Sequence, residues 1–140
     1  MENCILLLPV LCFLPMICAV ISYLIGRRSK TARNTFVCAA VAVEFALSVY
    51  MLVRVLSGAA GSIEFPAICG YALRIEIDGF RALYVLITVF MFLMTMLFSP
   101  EYFAHYRNRN RYYFFVLMTL GATVGVFLSS DLFTTLIFFE

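Results

Sequence analysis

Charged side chains are scarce in this sequence. Ten lysines and arginines and eight aspartates and glutamates make up only 13% of its 140 residues, whereas 64% of the residues are hydrophobic. A soluble domain carries roughly 25% charged residues. The shortage of charge therefore argues against a soluble domain and indicates a protein of the lipid bilayer.

Ligands for metals and cofactors are scarce as well. The chain has one histidine, His105, and five cysteines that form no CxxC pair. A metal site would need thiolates or imidazoles at short spacing, and no serine-nucleophile, phosphate-loop or dinucleotide-binding motif is present. We therefore expect no metal, no cofactor and no redox chemistry in this chain. We interpret His105 as a solvated loop residue, with proton entry to a half-channel as the alternative.

Long apolar segments dominate what remains, and four of them are long enough to span a bilayer as helices. They run from Ile5 to Ile25, from Thr35 to Ser57, from Phe80 to Phe98 and from Tyr112 to Leu128. A fifth apolar segment begins at Leu132, after a short polar turn. We predict an all-α polytopic membrane protein with four transmembrane helices and the start of a fifth, residues 1–140 forming a single membrane domain.

The polar stretch between the second and third segments has a different pattern. Residues Leu73 to Asp78 alternate between apolar and charged side chains, which is the period of a β-strand. Ile63-Glu64-Phe65 can pair with that strand across a connection that contains proline and glycine. The pattern predicts a small outer β-hairpin between helices two and three.

Basic residues are concentrated in the loops that precede the second and fourth segments. These loops hold seven of the ten: Arg27, Arg28, Lys30, Arg33, Arg107, Arg109 and Arg111. The positive-inside rule assigns both loops to the cytoplasm, so we expect the N-terminus, the hairpin and the Asp131 turn outside a bacterial cytoplasmic membrane. Anionic lipid headgroups explain the basic, aromatic loops, and we expect no nucleic-acid partner.

Two carboxylates fall near mid-membrane depth. Glu140 lies roughly 12 Å along the fifth helix from Leu132, and Glu44 lies near the middle of the second segment. An ionisable group at that depth costs at least about 2.5 kcal/mol on insertion scales. We interpret Glu140 as a proton-transfer carboxylate that faces a partner helix, and Glu44 as a possible secondary relay. The alternative is a protonated acid bonded to a neighbouring helix or, for Glu140, a side chain that never inserts.

Gly121 and Gly125 form a GxxxG pattern in the fourth segment. Such small residues permit close contact between membrane helices. The pattern is frequent, so it predicts close packing without identifying a partner.

Three stretches together resemble the antiporter-like membrane subunits of respiratory complex I, of Mrp-type cation/proton antiporters and of membrane-bound hydrogenases. They are Ile77 to Leu83, Phe98 to Tyr102, and Ser129 to Glu140. The resemblance implies that Glu140 matches the family's helix-five glutamate, which pairs with a lysine on helix seven and helps to move protons through two half-channels. It covers the first third or less of a family member and is strongest from Ile77 onward.

The resemblance implies a subunit that translocates protons or sodium ions, in a respiratory-type NADH:quinone oxidoreductase or a related complex. We expect this chain to be an N-terminal fragment of that subunit. Its partners would be other membrane subunits and the bilayer. The alternatives are a small structural scaffold subunit without transport activity, and an unproductive fragment of a split or prematurely ended reading frame.

Overall fold

The computed structural model describes residues 2–58, 61–66, 72–103 and 109–140. His105 and Arg107 lie outside the described residues. The elements are α1 (Glu2–Gly26), α2 (Lys30–Leu56), β1 (Gly61–Pro66), β2 (Ala72–Ile77), α3 (Gly79–Tyr102), α4 (Arg109–Leu128) and α5 (Leu132–Phe139). In the described ranges, helices α1 to α4 are long and apolar enough to cross a membrane. The predicted fold class is confirmed, including the hairpin between the second and third helices.

Capping side chains set where α2 and α3 begin. The Ser29 hydroxyl accepts a hydrogen bond from the Ala32 N–H at 3.4 Å, and the Asp78 carboxylate accepts one from the Arg81 N–H at 2.8 Å. Both residues have extended backbones, as N-cap residues do. Helix α2 therefore starts at Lys30, and not at the predicted Thr35, because hydropathy marks only the part of a helix that lies in lipid.

The C-terminal end of α3 also extends past its predicted limit, to Tyr102, and it contains Pro100. Proline has no N–H to donate to the carbonyl four residues earlier. That carbonyl belongs to Met96, and it accepts a hydrogen bond from the Cys38 thiol of α2 at 3.6 Å. The bond ties the ends of α2 and α3 together at one level of the bundle.

The core is a continuous apolar cluster between the helices. Helix α1 packs against α2 and α4, α2 packs against α3, α3 contacts α4, and α5 contacts α4. Side chains at helical spacing supply the cluster, among them Leu8, Leu11, Val37, Val41, Val85, Val89, Leu117 and Val124. Many other apolar side chains are exposed, as expected for helices that face lipid or other subunits.

The two glycines of the GxxxG pattern contact two different helices, α1 and α5. A Cβ atom on Gly121 would lie 2.9 Å from the Cys12 carbonyl oxygen of α1, too close for any larger residue. The space beside Gly125 is filled by the ring of Phe138 from α5. The predicted close packing is therefore confirmed, with one glycine serving each contact.

Candidate functional site

The hairpin fixes the start of α5. Strands β1 and β2 are antiparallel, and Ile75 and Ile77 turn inward and are buried. Ile75 forms an isolated β-bridge with Ser129, in the turn between α4 and α5. The Arg74 N–H donates to the Thr134 hydroxyl at 3.0 Å, and the Arg74 carbonyl accepts from the Ser130 N–H at 3.0 Å. Backbone bonds from one strand thus hold both the turn and the first residues of the helix.

Side-chain charges reinforce this contact. The Arg74 guanidinium lies 2.9 Å from a carboxylate oxygen of Glu64 on β1 and 3.5 Å from one of Asp131 before α5. These side chains are about half exposed, so solvent screens the pairs and each contributes little, about 0–1 kcal/mol. The backbone bonds therefore carry most of the positioning.

One face of α5 is buried against the bundle. Thr134 and Phe138 are buried, four residues apart and therefore on the same face. The Phe138 ring packs on Gly125, and its centroid lies 6.4 Å from that of Phe13 on α1. This face fixes the rotation of α5 about its axis.

Glu140 follows α5 directly, and its N–H donates to the Leu136 carbonyl at 3.1 Å. It lies about 200° around the helix from Phe138, away from the bundle, and its side chain is exposed. Within the described residues its carboxylate has no ion pair or hydrogen bond. The structure thus leaves this carboxylate turned outward from the four-helix core.

Glu44 has the opposite surroundings. It is fully buried, in the stripe of α2 that faces the core, and neither carboxylate oxygen has a hydrogen-bond partner in the described part of the chain. The neighbouring α1 places the Cys12 and Cys18 thiols within electrostatic range of it. No bond in the described residues joins Glu44 to Glu140, so the structure does not bring the two candidates together.

Among the buried polar residues that were not identified from sequence, three lie close to the α3–α4 interface, and the first is Arg33. The sequence pattern places it in the basic loop before the second segment, whereas it is 1% exposed and lies inside α2. Its guanidinium donates to the Asn34 carboxamide at 2.8 and 3.2 Å and to the Asn110 carboxamide, and it lies 4.6 Å above the Tyr113 ring. The signal was present, because Arg33 is four residues before Val37, on the buried stripe of α2.

The other two are Ser99 of α3 and Tyr113 of α4. Both are buried, and their hydroxyls interact across the interface between these helices. Neither hydroxyl makes a hydrogen bond of good geometry in the described structure. A cavity of about 290 Å³, open on one side, lies at the same end of the bundle and is lined by Thr95, Phe98, Ser99, Tyr102, Phe103 and Tyr112. Sequence offers no signal for this pairing, since the two residues are far apart in the chain.

Comparisons with known proteins agree with the fold. No protein-family model matches the chain. It is 28% identical over 144 residues to a protein of Staphylococcus haemolyticus (strain JCSC1435) that carries the name antiporter subunit mnhD2, an alignment that takes in 100% of this chain and 28% of that protein. The membrane-bound sulfane sulfur reductase, an archaeal respiratory membrane complex, contains a chain of similar fold, with a TM-score of 0.79 and 19% identity over 94% of this chain and 21% of that one.

These similarities confirm the resemblance to antiporter-like membrane subunits that the motifs predicted. The chain spans about a quarter of the length of these two proteins.

Proposed function

We propose that this chain forms part of a membrane subunit that translocates protons or sodium ions, and that Glu140 is a carboxylate in the ion path. The observation that carries the proposal is the similarity, along the whole chain, to a protein named as an antiporter subunit. The placement of Glu140 supports it, because the carboxylate follows an apolar helix and is turned away from the bundle.

A partner from another helix completes the site. Leu132 and Phe139 of α5 are 87% and 80% exposed, so the outer face of this helix is covered by lipid or by further protein. A carboxylate on that face is costly in lipid and is stabilised by a nearby cation. The only lysine of the chain, Lys30, begins α2 at the end of the bundle opposite the hairpin and cannot reach Glu140. In the described residues no arginine pairs with Glu140 either, so we assign the cation to another helix of the subunit or of its complex.

The mechanism follows from that pairing. When the partner cation is close, the Glu140 carboxylate is stabilised in its ionised form; when the cation moves away, the carboxylate takes up a proton or a sodium ion. The hairpin and the Gly125 contact hold α5 in place, so that the cation moves and the carboxylate stays. Glu44 serves as a secondary relay inside the helix bundle.

The parent assembly is of the respiratory or antiporter type, such as an NADH:quinone oxidoreductase or an Mrp-type antiporter. It lies in a bacterial cytoplasmic membrane, with both basic loops inside and the N-terminus and hairpin outside. A structural scaffold is the second candidate, favoured by the large exposed apolar surface of the helices.

Reactivity toward an apolar carbodiimide in source membranes tests the assignment of Glu140. Such reagents modify protonated carboxyl groups in lipid and spare ionised ones in water. We expect Glu140 to be modified about tenfold faster than Glu101, an exposed glutamate at the end of α3. The readout is peptide mass spectrometry over time. Equal rates at the two glutamates would contradict a protonatable intramembrane site.

A further inference from the structure

Three buried polar side chains lie in the interior of the four-helix bundle without a hydrogen bond of good geometry in the described part of the chain. They are Glu44 of α2, Ser99 of α3 and Tyr113 of α4, which are 0%, 3% and 1% exposed. The two Glu44 carboxylate oxygens have no partner in the described residues, and the Ser99 and Tyr113 hydroxyls have only each other, in poor geometry. Buried polar atoms in folded proteins are almost always paired, and water is the usual partner when protein groups are not available.

These groups lie at two depths in the interior of the bundle. Ser99 and Tyr113 lie near the end formed by the C-terminus of α3 and the N-terminus of α4, and Glu44 lies deeper. The Cys38–Met96 bond fixes which turns of α2 and α3 face each other, and Ser99 lies one turn beyond Met96. Cys38 is also within electrostatic range of Tyr113. Glu44 lies six residues beyond Cys38 on α2, roughly 9 Å along the helix axis.

Helices α2 and α3 run in opposite directions, because Cys38 contacts Met96 and Phe45 contacts Phe90. Ser99 therefore lies roughly 4.5 Å farther from Glu44 along the axis than Cys38 does. A file of about four water molecules bridges the resulting distance of roughly 14 Å at hydrogen-bond spacing.

The depth at which Ser99 lies is open to the surface of the protein. Ser99 lines the open cavity of about 290 Å³ between the ends of α3 and α4. Thr95 and Tyr112 line the same cavity and add hydroxyl groups to it. The Arg33 guanidinium stacks on the Tyr113 ring and holds it in place from the other side. Water that enters the cavity therefore meets Ser99, and the Tyr113 hydroxyl interacts with Ser99 from the interior side.

We propose that Ser99 and Tyr113 form the mouth of a transiently hydrated proton passage that leads from the α3–α4 cavity to Glu44. A hydronium ion in the passage gives its proton to a Glu44 oxygen and remains as water; the reverse step returns the proton. The proposal deepens the assignment of Glu44 as a relay, and it makes this glutamate accessible without Glu140.

Val41 is the barrier in this passage. It is fully buried on α2, one turn before Glu44 and on the same stripe. An apolar side chain at that position interrupts the file of water, so proton exchange depends on transient hydration. A hydroxyl at position 41 would give the file an additional partner.

Few other charged or titratable groups in the described residues lie close enough to Glu44 to exchange protons with water in the passage. From α1 the Cys12 and Cys18 thiols face it. The charged residues of α3, Arg81 and Glu101, lie at the ends of that helix, and those of α4, Arg109 and Arg111, lie in its first turn. Glu44 is therefore the group whose protonation the passage serves.

The test is hydrogen–deuterium exchange of the Glu44 carboxyl group, followed by infrared spectroscopy of the full chain in liposomes. The carboxyl C=O band of Glu44 is assigned by its loss in Glu44→Gln. After transfer to D₂O, we expect Tyr113→Phe and Ser99→Ala each to slow the shift of this band about tenfold, and Val41→Thr to accelerate it. The matched control is Ser48→Ala, since the buried Ser48 hydroxyl already donates to the Phe45 carbonyl at 2.8 Å and lies on the far side of Glu44.

Exchange at the native rate in Tyr113→Phe and Ser99→Ala, with helical circular dichroism unchanged, would overturn the passage. So would the absence of a protonated Glu44 band at every pH from 5 to about 8. Glu140→Gln leaves the exchange of Glu44 unchanged if the passage is correct. Failure of the ion-path assignment at Glu140 is therefore distinguishable from failure of this proposal.

Discussion

At the scale of single residues, the two carboxylates in apolar helices differ in what surrounds them. Glu44 is enclosed by the bundle and has no hydrogen-bond partner among the residues that the structure describes, whereas Glu140 is turned outward. An ionised carboxylate in the first environment would be very costly. The neutral acid is therefore the form of Glu44 that the folded bundle accommodates, and a neutral substitute of the same shape is expected to be tolerated.

Substitutions at Glu44 test this expectation through stability. We expect Glu44→Gln to change the free energy of unfolding by less than about 1 kcal/mol, because it replaces a neutral acid by a neutral amide of similar volume. Glu44→Lys introduces a buried unpaired charge and is expected to cost about 3–5 kcal/mol. Unfolding in detergent titrations, followed by circular dichroism, measures both. Equal stabilities for the two variants would contradict the burial of this site.

Arg33 offers a second prediction at the same scale. Its planar guanidinium bonds to Asn34 and Asn110 while it stacks on Tyr113, and a lysine ammonium cannot do all of this. We expect Arg33→Lys to destabilise the bundle by about 1–3 kcal/mol. The control is Arg27→Lys in the exposed turn before α2, which should be neutral. The same unfolding measurement compares the two variants. An unchanged free energy of unfolding in Arg33→Lys would contradict a stabilising role for the contacts of the Arg33 guanidinium with Asn34, Asn110 and Tyr113.

At the scale of elements, the small residues of α4 determine how closely α1 approaches. The backbone of α1 occupies the space that a side chain at Gly121 would need. We expect Gly121→Leu to destabilise the bundle by about 1–3 kcal/mol through overpacking. Thr119→Leu, on the exposed face of the same helix, is the matched control and should have little effect. Comparable losses in the two variants would contradict a specific role of the contact between Gly121 and α1, because leucine is a better helix former than either residue it replaces.

Two kinds of interaction join the hairpin to α5, and we expect their loss to change the free energy of unfolding by different amounts. Thr134 is fully buried and accepts the Arg74 N–H, so Thr134→Val removes the acceptor of a partly buried N–H and is expected to cost about 1–3 kcal/mol. Arg74→Gln removes only the half-exposed ion pairs and is expected to cost about 0–1 kcal/mol. Limited proteolysis after α4 reports release of the helix. A larger effect of Arg74→Gln would show that charge, and not the backbone bonds, holds α5.

The elements themselves were predictable from sequence, and their contacts were not. Hydropathy located all four long helices, and alternation located the hairpin. Hydropathy misplaced the start of α2, because the Ser29 cap and the buried Arg33 extend this helix beyond its apolar part. The GxxxG pattern predicted close packing but not that Gly121 meets α1 and Gly125 meets Phe138. The facing of Ser99 and Tyr113 depends on how α3 and α4 pack, which no local pattern encodes.

At the scale of the whole molecule, charge distribution predicts the orientation. In a cysteine-free background, a cysteine at Ser62 in the exposed part of β1 should react with an impermeant maleimide added outside intact cells. A cysteine at Ser29, in the basic turn, should react only after the membrane is opened. The reverse pattern would invert the proposed topology, with the hairpin and the start of α5 inside.

The central claim concerns ion movement through the assembled complex, and its most direct test is transport. Everted membrane vesicles that contain the complex with Glu140→Gln, Glu140→Asp or the native residue are compared for cation-driven or redox-driven proton movement, with assembly checked by native electrophoresis. We predict that Glu140→Gln assembles but loses transport by about 10²-fold or more, while Glu140→Asp keeps a measurable part of it. Native transport rates in an assembled Glu140→Gln complex would contradict the account and favour a structural scaffold.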